Sequence, residues 1–179
     1  MGGMTADDLK AFVRNVPDYP AHGIVFRDLS PLLADPQALR HTVEALAEKV
    51  QAAGASKVAG MEARGFIFGA AVAVTAGCGF LPIRKAGKLP VATIGIDYAL
   101  EYGSDRLELD PSMIDPGDCI AIVDDLVATG GTALAAADLI VRAGASVVTA
   151  EFVIELESLG GGAALRARDI PTAAVLTYA

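Results

Sequence analysis

Apolar residues recur along the chain at two spacings, and the change between them divides it into elements. Leu39, Val43, Leu46 and Val50 return every three or four positions, which predicts a helix begun by Asp35-Pro36 and stopped at Gly54. Thr5 and the acids behind it predict an earlier capped helix, with Leu9, Phe12 and Val13 on one face to about Asn15 and Pro17 and Pro20 ending it. Lys57 to Met61 reads as a short strand ending at Glu62, Gly65 onward as a helix closed by Gly77, and Gly79 to Ile83 as a strand that delivers Arg84 and Lys85 at its end. Leu107 and Leu109 alternate with Glu108 and Asp110, the period-two pattern of a half-exposed strand. Asp115-Pro-Gly-Asp then turns the chain into Ile120 to Val123, Thr132 to Arg142 reads as a helix stopped at Gly144, and Val147 to Ile154 as a strand. Alternating strands and helices predict an α/β fold, a parallel sheet flanked by helices. The stretch 87–105 fits neither period and reads as a long excursion, the place where compact domains carry functional lids. The glycine-rich segment after Leu159 receives no role.

At 179 residues the chain is read as one domain with a real core, residues 1–179 without linker or repeat. A formal charge of −8 argues against a nucleic-acid surface, so the cations Arg84, Lys85 and Lys88 stand out as a local exception. The longest apolar stretch, Phe66 to Ala76, is too short to span a bilayer, and no hydrophobic leader precedes Asp7 and Asp8. Cys78 and Cys119 have no metal-ligand spacing and read as buried thiols in a reducing cytosol, and His22 and His41 make no metal constellation. The expectation is a cytoplasmic protein with no membrane and no nucleic-acid partner.

The run Ile120-Ala-Ile-Val-Asp-Asp-Leu-Val-Ala-Thr-Gly-Gly-Thr132 carries the densest chemistry. A buried strand ends at two carboxylates, Asp124 and Asp125, where open α/β sheets place their ligands. The turn Ala128-Thr129-Gly130-Gly131-Thr132 then exposes backbone N–H groups at a helix start, a seat for a phosphate. Two carboxylates beside a phosphate repel it unless they face sugar hydroxyls or a divalent metal, and that trio describes a phosphoribosyl group. Three further segments accompany it. Glu62-Ala-Arg64-Gly-Phe66 turns from strand to helix with a guanidinium at the bend, suited to a diphosphate. Arg84-Lys85-Ala-Gly-Lys88 brings three cations together on a Gly/Pro loop. Tyr98-Ala-Leu-Glu101-Tyr-Gly sets an aromatic-flanked carboxylate near the far end of the excursion, where a closing loop would make it a general acid or base. Taken singly, a capped turn, a surface arginine, a solvated basic loop and an exposed glutamate are the plainer readings.

In this order, and preceded by Asp18-Tyr-Pro-Ala-His-Gly-Ile-Val-Phe-Arg-Asp-Leu-Ser-Pro-Leu-Leu33, the segments closely resemble the adenine phosphoribosyltransferase family of type I phosphoribosyltransferases from about Val16 to past Thr149. The resemblance implies an N-terminal helix and base-binding hood over 1–34, an α/β core over 35–179 and a flexible lid at about 87–105. It implies adenine contacts by Val25, Phe26 and Arg27, diphosphate contacts by Arg64, Arg84, Lys85 and Lys88, and ribose contacts by Asp124 and Asp125. Ala128, Thr129, Gly130, Gly131 and Thr132 would wrap the 5′-phosphate, and Glu101 would be the catalytic acid or base. The implied substrates are adenine and phosphoribosyl diphosphate, the implied cofactor is Mg2+ carried by substrate without a protein cage, and the implied assembly is a homodimer that shares some of the cations. His22 stands where a proline is expected. An oxopurine in place of adenine remains an alternative, as does a DNA-binding ligand sensor, although the latter needs a basic N-terminal module.

Overall fold

The computed structural model describes residues 4–99 and 104–179, without the side chains of residues 99 and 104. The expected helix α3 spans Pro36–Ala52, with Asp35 accepting hydrogen bonds from the N–H groups of Gln37 and Ala38. It buries Ala38, Thr42, Val43, Leu46, Ala47 and Val50. Val43, Leu46 and Val50, so removed from water, each stabilise the fold by about 1.5–3 kcal/mol. The other expected elements are β3 (Lys57–Met61), α4 (Arg64–Ala76), β4 (Gly79–Lys85), β7 (Cys119–Val127), α5 (Gly131–Arg142) and β8 (Ser146–Leu156). Helix α4 ends on Gly77 in the left-handed region (φ 74°). With β5 (Ile94–Ala99), β6 (Ser104–Leu109) and β9 (Thr172–Tyr178), the central sheet among the described residues has seven strands in the order β5-β6-β4-β3-β7-β8-β9. Strands β4, β3, β7, β8 and β9 (Thr172–Tyr178) run parallel. Helices α3 and α4 pack with Val58, Ala121 and Val123 on one face. Helix α5 packs with Ile120, Ile122, Leu81 and Phe152 on the other. The sheet is therefore doubly wound, and its ligand edge lies at the carboxyl ends of the parallel strands.

Four expectations need correction. The first helix, α1, ends at Lys10 instead of about Asn15. Arg14–Pro17 is strand β1, paired antiparallel with β2 (Val25–Asp28), and α2 (Ser30–Ala34) follows. Leu9 and Val13 are buried against the core even so, hence the helical spacing. The excursion at 87–105 is not free of regular structure. Ile94–Ala99 forms β5, paired antiparallel with β6 (Ser104–Leu109), and β6 joins the edge of β4 through Arg84↔Glu108 and Lys85↔Leu107. Its Gly, Pro and tyrosine content hid a two-stranded edge. Strand β7 runs through both aspartates to Val127 and does not end at Val123. Cys78 and Cys119 are half-buried, not buried. The chain after Leu159 forms α6 (Gly161–Arg166) and edge strand β9.

Candidate active site

A cleft of about 690 Å³ opens at the carboxyl ends of β3 and β7. It is lined by Arg64, Lys85, Asp124, Asp125 and the whole turn Ala128, Thr129, Gly130, Gly131 and Thr132. Nine residues proposed from sequence thus meet in one place. Gly130 takes φ +84° as the residue before α5, and no side chain caps the helix. The N–H groups of its first turn face the cleft, where the helix dipole favours an anion.

The carboxylates are neighbours on one strand in unlike surroundings. Asp125 is 7% exposed and pairs with Arg64 at 2.5 Å (Oδ2 to Nε). Asp124 accepts the Asp125 backbone N–H at 2.9 Å and lies so close to α4 that a Cβ on Gly65 would stand 2.5 Å from its Oδ1. Burial, and next the negative charge of Asp125, push its carboxyl well above the ordinary range. One of the pair is thus the readier to hold a proton or to seek a hydroxyl donor.

Arg84 and Lys88 do not line the cleft. Successive side chains of a strand point to opposite faces, so Arg84 and Lys85 cannot both enter it. Arg84 turns to Glu62 with a two-point pairing, Nε–Oε2 3.1 Å and Nη2–Oε1 3.2 Å, and donates to the Lys88 carbonyl at 2.9 Å. The Arg84 guanidinium, then the Lys85 N–H, hold the Glu62 carboxyl below the usual range.

Val25, Phe26 and Arg27 also stand outside the cleft proper, on β2 above it. The Arg64 guanidinium lies 5.5 Å from the Phe26 ring centroid, joining the two regions. Tyr19 meets Phe26 edge-on at 5.3 Å. The Arg27 guanidinium stacks on Tyr178 at 4.1 Å and bonds Asn15, so the last strand braces the hood. Glu101 falls outside the described residues.

Two contributors escaped sequence reasoning. Asp105 lines the cleft and pairs with Lys85. It lies two and four residues before the buried Leu107 and Leu109, so the period-two pattern already put it on their face. Gly161 donates its N–H to the Ala128 carbonyl at 2.9 Å and backs the phosphate turn. The run Gly160–Gly162 was its only signal.

A mostly parallel sheet ending in an acidic pair, beside an uncapped helix start and two cations, Arg64 and Lys85, is the arrangement of a type I phosphoribosyltransferase. Adenine phosphoribosyltransferase of Novosphingobium aromaticivorans is 59% identical over 175 residues, 98% of each chain. The crystal structure of the enzyme of that name from Rhodothermus marinus superposes with a TM-score of 0.87 at 45% identity, covering 97% of this chain and 98% of its own. That of Saccharomyces cerevisiae, complexed with an imino-altritol bisphosphate and adenine, gives 0.89 at 36% identity, over 96% and 98%. No protein-family model matches the chain. The chain belongs to the adenine phosphoribosyltransferase family.

Proposed function

We propose that this protein transfers the 5-phosphoribosyl group of phosphoribosyl diphosphate to N9 of adenine, releasing diphosphate and AMP. The observation that carries the reading is the single cleft in which Asp124 and Asp125 adjoin the uncapped start of α5, with Arg64 and Lys85 opposite. The bond from C1 of the sugar to the diphosphate oxygen breaks, the bond from C1 to N9 forms, and the N9 proton leaves. Because the centre passes through an oxocarbenium-like state, the protein acts mainly by position and charge. The Ala128–Thr132 turn seats the 5′-phosphate, and Asp124 and Asp125 engage the ribose hydroxyls. Arg64 and Lys85 hold the diphosphate. Val25, Phe26 and Arg27 hold adenine from the hood, and Glu101, between β5 and β6 in sequence, manages the purine proton. Arg84 and Lys88, outside this cleft, are the cations a homodimer would share with its partner.

Magnesium fits the donor set. Among the described residues no cluster of three His, Cys, Asp or Glu side chains could hold a metal, while Asp124 and Asp125 present hard carboxylate oxygens beside the proposed sugar. An ion ligated chiefly by substrate, steadied through those two aspartates, would neutralise charge on the departing diphosphate. Among the described residues no helix is long and apolar enough to cross a membrane.

The test is incubation with phosphoribosyl diphosphate, magnesium and each purine base in turn, with chromatography of the nucleotide formed. AMP from adenine, without nucleotide from hypoxanthine or xanthine, is the expected result. A nucleotide formed from an oxopurine alone would refute adenine as the substrate.

A further inference from the structure

Resting on that reading, we propose that Asp105 is a displaceable counter-ion of Lys85, competing with diphosphate for the ammonium and so setting the affinity of the cleft for that group. Lys85 Nζ lies 2.9 Å from Asp105 Oδ2. The other oxygen, Oδ1, accepts the Arg106 backbone N–H at 2.8 Å, which fixes the carboxylate on β6. The Tyr98 hydroxyl, from the facing position on β5, donates to Oδ2 at 3.5 Å. Lys85, Asp105 and Tyr98 all line the cleft. A diphosphate arriving there meets a cation already paired, beside a carboxylate that repels it.

The other cations of the region are held differently. Arg64 offers five donors in a planar fork, so its bond to Asp125 through Nε leaves the outer edge of the guanidinium for a phosphate. The Lys85 ammonium is a point charge on a flexible stem, its side chain 56% exposed, and it can move from Asp105 to a phosphate oxygen by rotamer change alone. Asp105 belongs to the β5–β6 pair that brackets Glu101 in sequence.

A brace and a competitor predict opposite signs. If Asp105 merely holds Lys85 in place, its loss weakens diphosphate binding, whereas a competitor's loss tightens it. Asp105→Asn keeps the shape and an acceptor for Tyr98 while removing the charge. Calorimetric titration with inorganic diphosphate and magnesium should show a Kd about two- to fivefold lower than wild type, the range for a partly exposed ion pair. The Kd for adenine should not change. Asp105→Glu should return diphosphate affinity to within twofold of wild type, and in a Lys85→Met background Asp105→Asn should lose its effect. Should Asp105→Asn fold poorly, Asp105→Ser supplies the same comparison. Unchanged or weaker diphosphate binding, tightening that survives without Lys85, or no diphosphate binding by the wild type would overturn the proposal. Failure of the wild type to make AMP while the Asp105 effect holds would instead sink the proposed activity.

Discussion

The sharpest test of the phosphate seat lies outside the signature run, at Gly161. A Cβ added there would overlap the Ala128 carbonyl oxygen and stand 2.6 Å from the Gly130 nitrogen and 2.8 Å from Val127 Cγ2. Two of these obstacles are backbone of the phosphate turn itself, so relief requires the turn and α6 to part by several tenths of an ångström. The 2.9 Å hydrogen bond from Gly161 N–H to the Ala128 carbonyl would stretch with them. Overpacking of this kind costs about 1–3 kcal/mol, and a lost hydrogen bond about 1 kcal/mol more. Displacing the N–H groups proposed to grip the phosphate should cost more in function than in stability, since an ångström of misplacement can reduce rate about 100-fold. Gly160 provides the control. Its φ is +75° with nothing within 4 Å of an added Cβ, so Gly160→Ala strains its own backbone by about 1–2 kcal/mol and leaves the turn alone. Gly161→Ala should weaken AMP binding by about 10- to 100-fold in calorimetry while adenine binding stays near wild type. Gly160→Ala should lower the melting temperature without moving either affinity. Wild-type AMP affinity in Gly161→Ala would refute the claim that α6 supports the phosphate turn.

Two other predictions concern proton traffic and stability. Glu101→Gln should lower kcat about 10²- to 10⁴-fold with KM for both substrates little changed, as steady-state kinetics would show, and wild-type turnover would remove Glu101 from the chemistry. Asp118 is held at about 2, below its ordinary 3.8, first by its bond to Lys57 and next by the Asp115 backbone N–H. A depressed carboxyl stabilises the fold fully above 3.8 and loses that contribution as pH falls toward 2. Asp118→Asn should thus cost about 1 kcal/mol at neutral pH, discounted because the pair lies near the surface, and only a fraction of that near pH 2. Denaturant midpoints at the two pH values check it, and an equal loss at both would contradict the linkage.

The core was legible because its signals are local. Asp35-Pro36 caps α3, Gly77 and Gly144 close α4 and α5, and the β7 run carries its own chemistry, so each could be read within a dozen residues. What stayed hidden depends on partners distant in sequence. Strand β5 is recognisable only by pairing with β6, and β1 only by its register with β2 eleven residues away, Arg14↔Asp28 to Pro17↔Val25. Gly161 matters because α6 returns to the turn at Ala128, more than thirty residues earlier. The partition of Arg84 from Lys85 was available in principle. As members of a loop cluster the two look alike, but once β4 extends through Lys85 the alternation of a strand sends one to Glu62 and the other to the cleft.

That partition changes the electrostatics of the site. With Arg84 outside the cleft and engaged with Glu62, and Lys88 also outside, the lining carries three further carboxylates, Asp105, Asp124 and Asp125, against two cations, Arg64 and Lys85. Side-chain charge alone therefore gives a diphosphate no net attraction, even though this is where the sequence gathers its cations. If a diphosphate is the ligand, as proposed, the favourable field comes from the N–H groups and dipole at the start of α5 and from a divalent ion arriving with it. The first is fixed but reaches only a phosphate seated on the turn, and the second is present only with the ligand. On that reading the acidic cleft becomes attractive chiefly to an anion that brings both a metal and a phosphate shaped to the turn.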